Sequence, residues 1–148
     1  MHTIFKDFSF AAAHAIRGHT RGCENLHGHN YRVRVYLRAR QLDALGMVLD
    51  FADLKAIMQD VLGPFDHHVL NEVPPFDERN TTAELLAQYV YGEVAKRVSA
   101  ADATDAVDAV DENGSPAESK HGRAAAQRIW VARVEVWEND TSCAAYEP

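Results

Sequence analysis

The sequence holds only two cysteines, Cys23 and Cys143, among its 148 residues. Two are too few for a disulfide framework, and a reducing cytoplasm is the expected compartment. No apolar run approaches the roughly 18 residues that a membrane span needs, so no membrane partner is expected. The first ten residues lack the basic stretch and long apolar run of a signal peptide. Positive charge is also in short supply. The net charge of −7 argues against general nucleic-acid binding, which calls for a basic face. What remains is an ordinary globular composition, 47% apolar and 25% charged. A chain of this length fits one domain, residues 1–148, that buries its own core.

The negative charge is unevenly spread. Residues 99–126 carry Asp102, Asp105, Asp108, Asp111, Glu112 and Glu118 against only Lys120 and Arg123. This stretch has no aromatic residue and includes Gly114-Ser115-Pro116. It reads as a solvated, mobile acidic insertion. The three-residue spacing of its aspartates raises a metal site as the other reading, but no Gly turn or Glu stands where a calcium loop needs one.

Elsewhere the pattern is regular. In residues 31–37, Tyr31, Val33, Val35 and Leu37 point one way and Arg32, Arg34, Tyr36 and Arg38 the other, which predicts a half-buried strand. Residues 3–14 also read as extended, with Phe8, Phe10, Ala12 and His14 on one face. A third strand is expected over 129–138, with Ala132, Val134, Val136 and Glu138 sharing a face, and a short fourth over 142–146. Two helices lie between. The first spans 51–62, capped by Asp50, with Phe51, Leu54, Met58, Val61 and Leu62 as its apolar stripe and Gly63-Pro64 as its stop. The second spans 83–98, capped by Thr82, with a stripe of Leu85, Leu86, Tyr89, Val90 and Val94. The order ββααββ predicts an α+β domain: a four-stranded antiparallel sheet with two helices on one face.

The strongest chemical signal is Cys23-Glu24-Asn25-Leu26-His27-Gly28-His29-Asn30-Tyr31. Side chains on a strand alternate, so His27 and His29 project to one side, the side of Tyr31 and Val33. Gly28 between them allows close approach of backbone or substrate. His14 ends the first strand on its own apolar face, and neighbouring antiparallel strands would bring the three imidazoles together. Three neutral imidazoles suit Zn2+ and leave a fourth position for water or substrate. An ion so placed is a Lewis acid. Two other arrangements stay open: unrelated histidines, and a closed structural site with Cys23 as fourth ligand. A thiol beside zinc and imidazoles could also shuttle protons; Cys143 has no such neighbours in sequence and reads as structural.

Four more features bear on chemistry. In Asp66-His67-His68, an Asp beside a His can orient the imidazole and stabilise its charged form. His68 serves as well as His67 by sequence alone, and an ordinary surface loop is the other reading. Glu138 ends a strand on its apolar face, where a carboxylate is costly unless paired; it could accept two hydrogen bonds from an amino-pyrimidinone edge or simply reach solvent. Thr82 and Glu84 are explained by a helix cap and a first-turn acid without any function. Arg17, His19 and Arg21 read first as a solvated loop and second as triphosphate contacts.

These motifs together resemble the 6-pyruvoyl-tetrahydropterin synthase superfamily, and within it the bacterial 6-carboxy-5,6,7,8-tetrahydropterin synthases. The resemblance spans nearly the whole chain: residues 8–14, 23–31, 47–51, 66–71, Thr82-Ala83-Glu84 and 134–146. Pyruvoyl-forming relatives of animal type usually carry a longer gap than three residues between the Cys and the His-Gly-His. The resemblance implies a tunnelling fold (T-fold) assembled as a homo-oligomer, commonly a hexamer, with active sites between subunits. It implies a lyase that converts 7,8-dihydroneopterin triphosphate to 6-carboxy-5,6,7,8-tetrahydropterin, acetaldehyde and triphosphate on the way to queuosine. Carried over by motif, His14, His27 and His29 hold zinc, Cys23 transfers protons, and Asp66 with His67 forms a relay reaching a neighbouring subunit. Glu138 anchors the pterin, with Thr82 and Glu84 near it. Thr81 stands where the family often has Pro, which is expected to loosen that helix start, and Asn139-Asp140-Thr141 departs from the usual pattern after Glu138.

Overall fold

The computed structural model describes residues 1–107 and 128–148, with side chains described outside 101–127. Two long strands, β1 (His2–His14) and β2 (His27–Ala39), pair antiparallel from His2↔Ala39 to His14↔His27. Helix α1 (Phe51–Leu62) follows, then a two-residue strand β3 (His68–Val69), a 3-10 turn (Leu70–Glu72) and α2 (Ala83–Val107). Strands β4 (Ile129–Asn139) and β5 (Ser142–Tyr146) complete the sheet, in the order β3-β1-β2-β4-β5.

The sheet therefore differs from the four antiparallel strands that periodicity predicts. It has five, and it is mixed: β3 runs parallel to β1 through Ala12↔His68 and Ala13↔Val69. Two residues are too short to leave a period-two signature, so only the contact with β1 reveals β3. The other pairings are antiparallel as expected.

The core lies between the helices and one sheet face. Tyr31, Val33, Val35 and Leu37 are wholly buried there, against Leu54, Met58, Leu86 and Val90 of the helices. Asp50 caps α1 by accepting the Ala52 N–H at 2.7 Å. Phe51 leaves the predicted stripe: it stays about half exposed under the Lys6 ammonium, 5.4 Å from its ring centre. Helix α2 runs on to Val107 rather than stopping at Val98, since the Ala-rich start of the acidic stretch is also helix-forming sequence. The rest of the predicted insertion, residues 108–126, lies outside the described residues.

One phase error is instructive. Ala132 is expected beside Val134 and Val136, yet the buried apolar residues of β4 are Ile129 and Val131, then Val134 and Val136. The register with β2 slips between Tyr36 and Leu37, leaving Ala132 as an extra residue. A bulge reverses the alternation on one side of itself. A second irregularity lies between Trp137 and Asn139 against β5, at Glu138.

Candidate metal centre and its pocket

His14 and His27 are direct partners at the end of the β1–β2 ladder, and His29 lies two residues further along β2. The ring centres stand 4.6 Å (His14–His27), 5.1 Å (His14–His29) and 4.9 Å (His27–His29) apart. One ring nitrogen from each lies within 4.8 Å of the others. His14 is buried and the other two are half-buried. The strand pairing thus brings the predicted cluster together.

Hydrogen bonds define what these nitrogens offer. His14 Nδ1 donates to the Thr81 carbonyl at 2.9 Å, and His27 Nδ1 donates to the Asn25 carbonyl at 2.7 Å. A carbonyl can only accept, so each Nδ1 carries the proton and each Nε2 presents a lone pair. Those two Nε2 atoms face each other at 3.1 Å. His29 Nε2 is buried with no hydrogen-bond partner. Converging lone pairs repel unless a cation lies between them. Nitrogens bound at about 2.0–2.1 Å in a tetrahedral site sit roughly 3.3 Å apart, so the donor set fits a metal ion. Burial, above all, pushes the His14 pKa down and keeps its imidazole neutral, as a ligand must be.

A pocket of about 290 Å³ opens at this cluster, lined by His14, His27, Cys23, Thr82, Glu84 and Glu138, with His19 at its border. Glu138 Oε1 lies 3.9 Å from His14 Nε2. Glu138 shares the face of Val134 and Val136, as alternation predicts, and lies where the pairing with β5 is irregular. Half-buried Cys23 sits in the β1–β2 loop, which is closed by the Ile16 N–H donating to the Cys23 carbonyl at 2.7 Å. That loop turns at Gly22, whose φ of +109° is a conformation that side chains disfavour. Cys143 was expected to stand apart but also borders the pocket. It is exposed, faces Trp137 across the ladder, and desolvation followed by the Glu135 carboxylate pushes its thiol pKa up.

Asp66 and His67 are elsewhere. His67 Nδ1 and Asp66 Oδ1 are 3.0 Å apart, with the His67 side chain 80% exposed. His67 lines a second pocket with Ala11, Ala13, Gly28 and Asn30. Its φ of +62° is uncommon for a side-chain-bearing residue. The Asp66 carboxylate also accepts the Ala11 N–H at 2.9 Å, the leading cause that holds its pKa down. His68 lies on β3, its Nδ1 bonded to the Asp66 carbonyl at 2.8 Å. His29 borders this second pocket too, but within one chain the pair does not join Cys23 and Glu138.

This geometry coincides with a family match: the 6-pyruvoyl tetrahydropterin synthase model aligns with residues 3–148. The chain belongs to that family. It is 29% identical to the 6-carboxy-5,6,7,8-tetrahydropterin synthase of Haemophilus influenzae over 99% of both chains. It is 35% identical to the enzyme of that name from Synechocystis, over 64% of this chain and 75% of the relative. The 6-pyruvoyl tetrahydrobiopterin synthase of Poecilia reticulata is 39% identical over 51% of this chain and 52% of the relative. Among solved structures, Caenorhabditis elegans 6-pyruvoyl tetrahydropterin synthase superposes with a TM-score of 0.68 at 25% identity, over 99% of this chain and 94% of that one. Relatives named as pterin synthases mark this as a family of enzymes.

Sequence reasoning about this family member missed the residues that brace the site. Arg17, a triphosphate candidate, donates instead to the carbonyls of Asn71 at 3.3 Å, Asp77 at 2.8 Å and Arg79. Asn80 clasps Arg17, accepting its N–H at 3.0 Å and donating to its carbonyl at 3.1 Å. Asn71 does the same to Ala15, at 2.8 and 2.9 Å. Thr81 does not loosen the start of α2. It is wholly buried, and its hydroxyl donates to the Ala15 carbonyl at 3.2 Å. Only the Asn content of this segment hints at such clasps, and Asn is equally common in plain turns.

Proposed function

We propose that this chain is a zinc-dependent carbon–carbon lyase, a 6-carboxy-5,6,7,8-tetrahydropterin synthase acting on 7,8-dihydroneopterin triphosphate in the route to queuosine. One observation carries the reading. The pocket at the three-imidazole cluster is also lined by Cys23 and Glu138, a thiol and a carboxylate of the kinds that this reading needs for proton transfer and for anchoring the ring. The whole-length likeness to a synthase of that name supports it, as does the three-residue gap between Cys23 and His27.

In this reading His14, His27 and His29 hold Zn2+, which supplies Lewis-acid polarisation of the substrate's side-chain oxygens when bound. Glu138 accepts hydrogen bonds from the amino-pyrimidinone edge of the pterin and fixes its orientation. Thr82 and Glu84 border the same ring. Cys23 Sγ takes up and returns a proton at the side-chain carbons. Asp66 holds and orients the His67 imidazole. Because His67 is exposed and away from its own chain's pocket, it serves a neighbouring subunit, and the working form is a homo-oligomer, expected to be a hexamer.

The test is a product assay. Zinc-loaded protein incubated with 7,8-dihydroneopterin triphosphate should yield 6-carboxy-5,6,7,8-tetrahydropterin, acetaldehyde and triphosphate, resolved by chromatography and mass spectrometry. The relatives that carry the pyruvoyl name favour one second reading, elimination of triphosphate to 6-pyruvoyl-tetrahydropterin. The same assay separates the two by product. A protein that binds zinc and forms neither product would be a non-catalytic zinc-stabilised module.

A further inference from the structure

We propose that the main-chain carbonyl of Thr81 is the contact that fixes His14 as a metal ligand, held in place by the Thr81 hydroxyl and by Asn71 through Ala15. The inference rests on the metal site of the proposed function and concerns how this chain builds it. His14 is the last residue of β1, so the backbone that follows it has no strand partner in the ladder. Asn71 stands in for one: its side-chain amide takes the Ala15 N–H and donates to the Ala15 carbonyl. Thr81 adds a second donor to that carbonyl through Oγ1. Its own carbonyl receives the His14 Nδ1 proton. One buried residue therefore grips the ligand's ring with its main chain and the next residue's backbone with its side chain.

The consequence is geometric. The bond at Nδ1 selects the tautomer that leaves Nε2 free, and it sets the rotation of the ring toward His27 and His29. A Pro at this position would keep a carbonyl but carry no hydroxyl, so the tie to Ala15 is a device of this chain's Thr81. His27 has its own carbonyl on Asn25, two residues away in the same loop. His14 depends on a partner 67 residues distant, and so on tertiary packing. Thr81 and Asn71 are positioning residues, acting on the metal through His14.

Zn2+ affinity, measured by competition with a chromophoric chelator, tests this, with the visible absorption of Co2+-loaded protein as a second readout. Outer-shell partners of metal-binding His commonly contribute 10–100-fold in affinity. Thr81→Val should weaken Zn2+ binding about tenfold and Asn71→Leu at least as much, with altered Co2+ bands. Thr81→Ser, which keeps the hydroxyl, should match wild type. Folded Thr81→Val protein that binds Zn2+ as tightly as wild type overturns the proposal, even if its melting temperature falls. Loss of affinity in Thr81→Ser equal to that in Thr81→Val also overturns it, since the hydroxyl would then not be the cause. Wild-type protein that takes up no Zn2+ would instead overturn the metal-site reading itself.

Discussion

At the scale of single residues, the site is a set of atoms whose bonds are assigned except where a ligand belongs. The Nδ1 protons of His14 and His27 are spent on carbonyls, while three ring nitrogens converge with lone pairs or no partner. Cys23 lies at the pocket but is not needed to complete that set. A Cys23→Ala variant should therefore retain its zinc, measured by metal analysis after gel filtration, and lose turnover by at least about 100-fold, as for removal of a proton-transfer group. Zinc lost along with activity would make Cys23 a ligand. His14 carries a pH prediction for the metal-free protein. Its pKa is lowered in the fold, chiefly by burial. The unfolded chain then binds that proton more readily than the folded one. The His14 contribution to stability is complete above about pH 6.5 and is lost as pH falls through the lowered value. Urea unfolding in EDTA from pH 8 to 5 should show wild type losing more stability than His14→Gln; equal slopes would contradict it.

At the scale of elements, the long strands carry their faces in their alternation, and the buried set of β1 and β2 follows it residue by residue. The failures lie where an element departs from a single period. A bulge in β4 shifts the phase at Ala132, while Glu138 keeps the face of Val134 and Val136. Strand β3 exists because Asp66 and His67 clasp Ala11 and Asn71 clasps Ala15, bringing residues 68–69 against β1. Helix α1 shows what local sequence can do unaided: its limits and its Asp50 cap agree with expectation. Asp50→Ala should cost about 1 kcal/mol, read as a lower urea midpoint with unchanged slope. No loss would mean that the Ala52 N–H finds water at no cost.

At the scale of the whole molecule, the features placed by resemblance divide into two groups. His14, His27, Cys23, Thr82, Glu84 and Glu138 share one pocket, and His67, held by Asp66, borders another with His29. In the proposed homo-oligomer a second copy brings the two groups together. Among the described residues, β1 is bonded on the side away from β2 only near its end, at Ala11 to Ala13, and β5 is the opposite edge of the sheet. Both edges offer unpaired backbone groups that a neighbouring copy could bond. Mixing inactive Cys23→Ala and His67→Ala proteins, with dissociation and reassembly, should restore part of the activity. Some mixed interfaces would then hold an intact Cys23 from one copy and His67 from the other. No recovery, in hybrids verified by native mass spectrometry, would place both residues in one subunit's site.

The three-imidazole cluster, the α+β class and most strand and helix limits were legible in the residues themselves. Alternation and helical spacing are local properties, and a His-Gly-His on a strand must present both imidazoles to one side. Thr82, Glu84 and Glu138 could be singled out but not weighed, because a cap, a first-turn acid and a strand-end carboxylate look the same with or without a pocket beside them. Tertiary structure decided the rest. It brought Thr81 and Asn71 to the end of β1 and diverted Arg17 to backbone carbonyls. It also separated His67 from Cys23. Each of these depends on hydrogen bonds between segments far apart in the chain, whose geometry no local pattern of residues records.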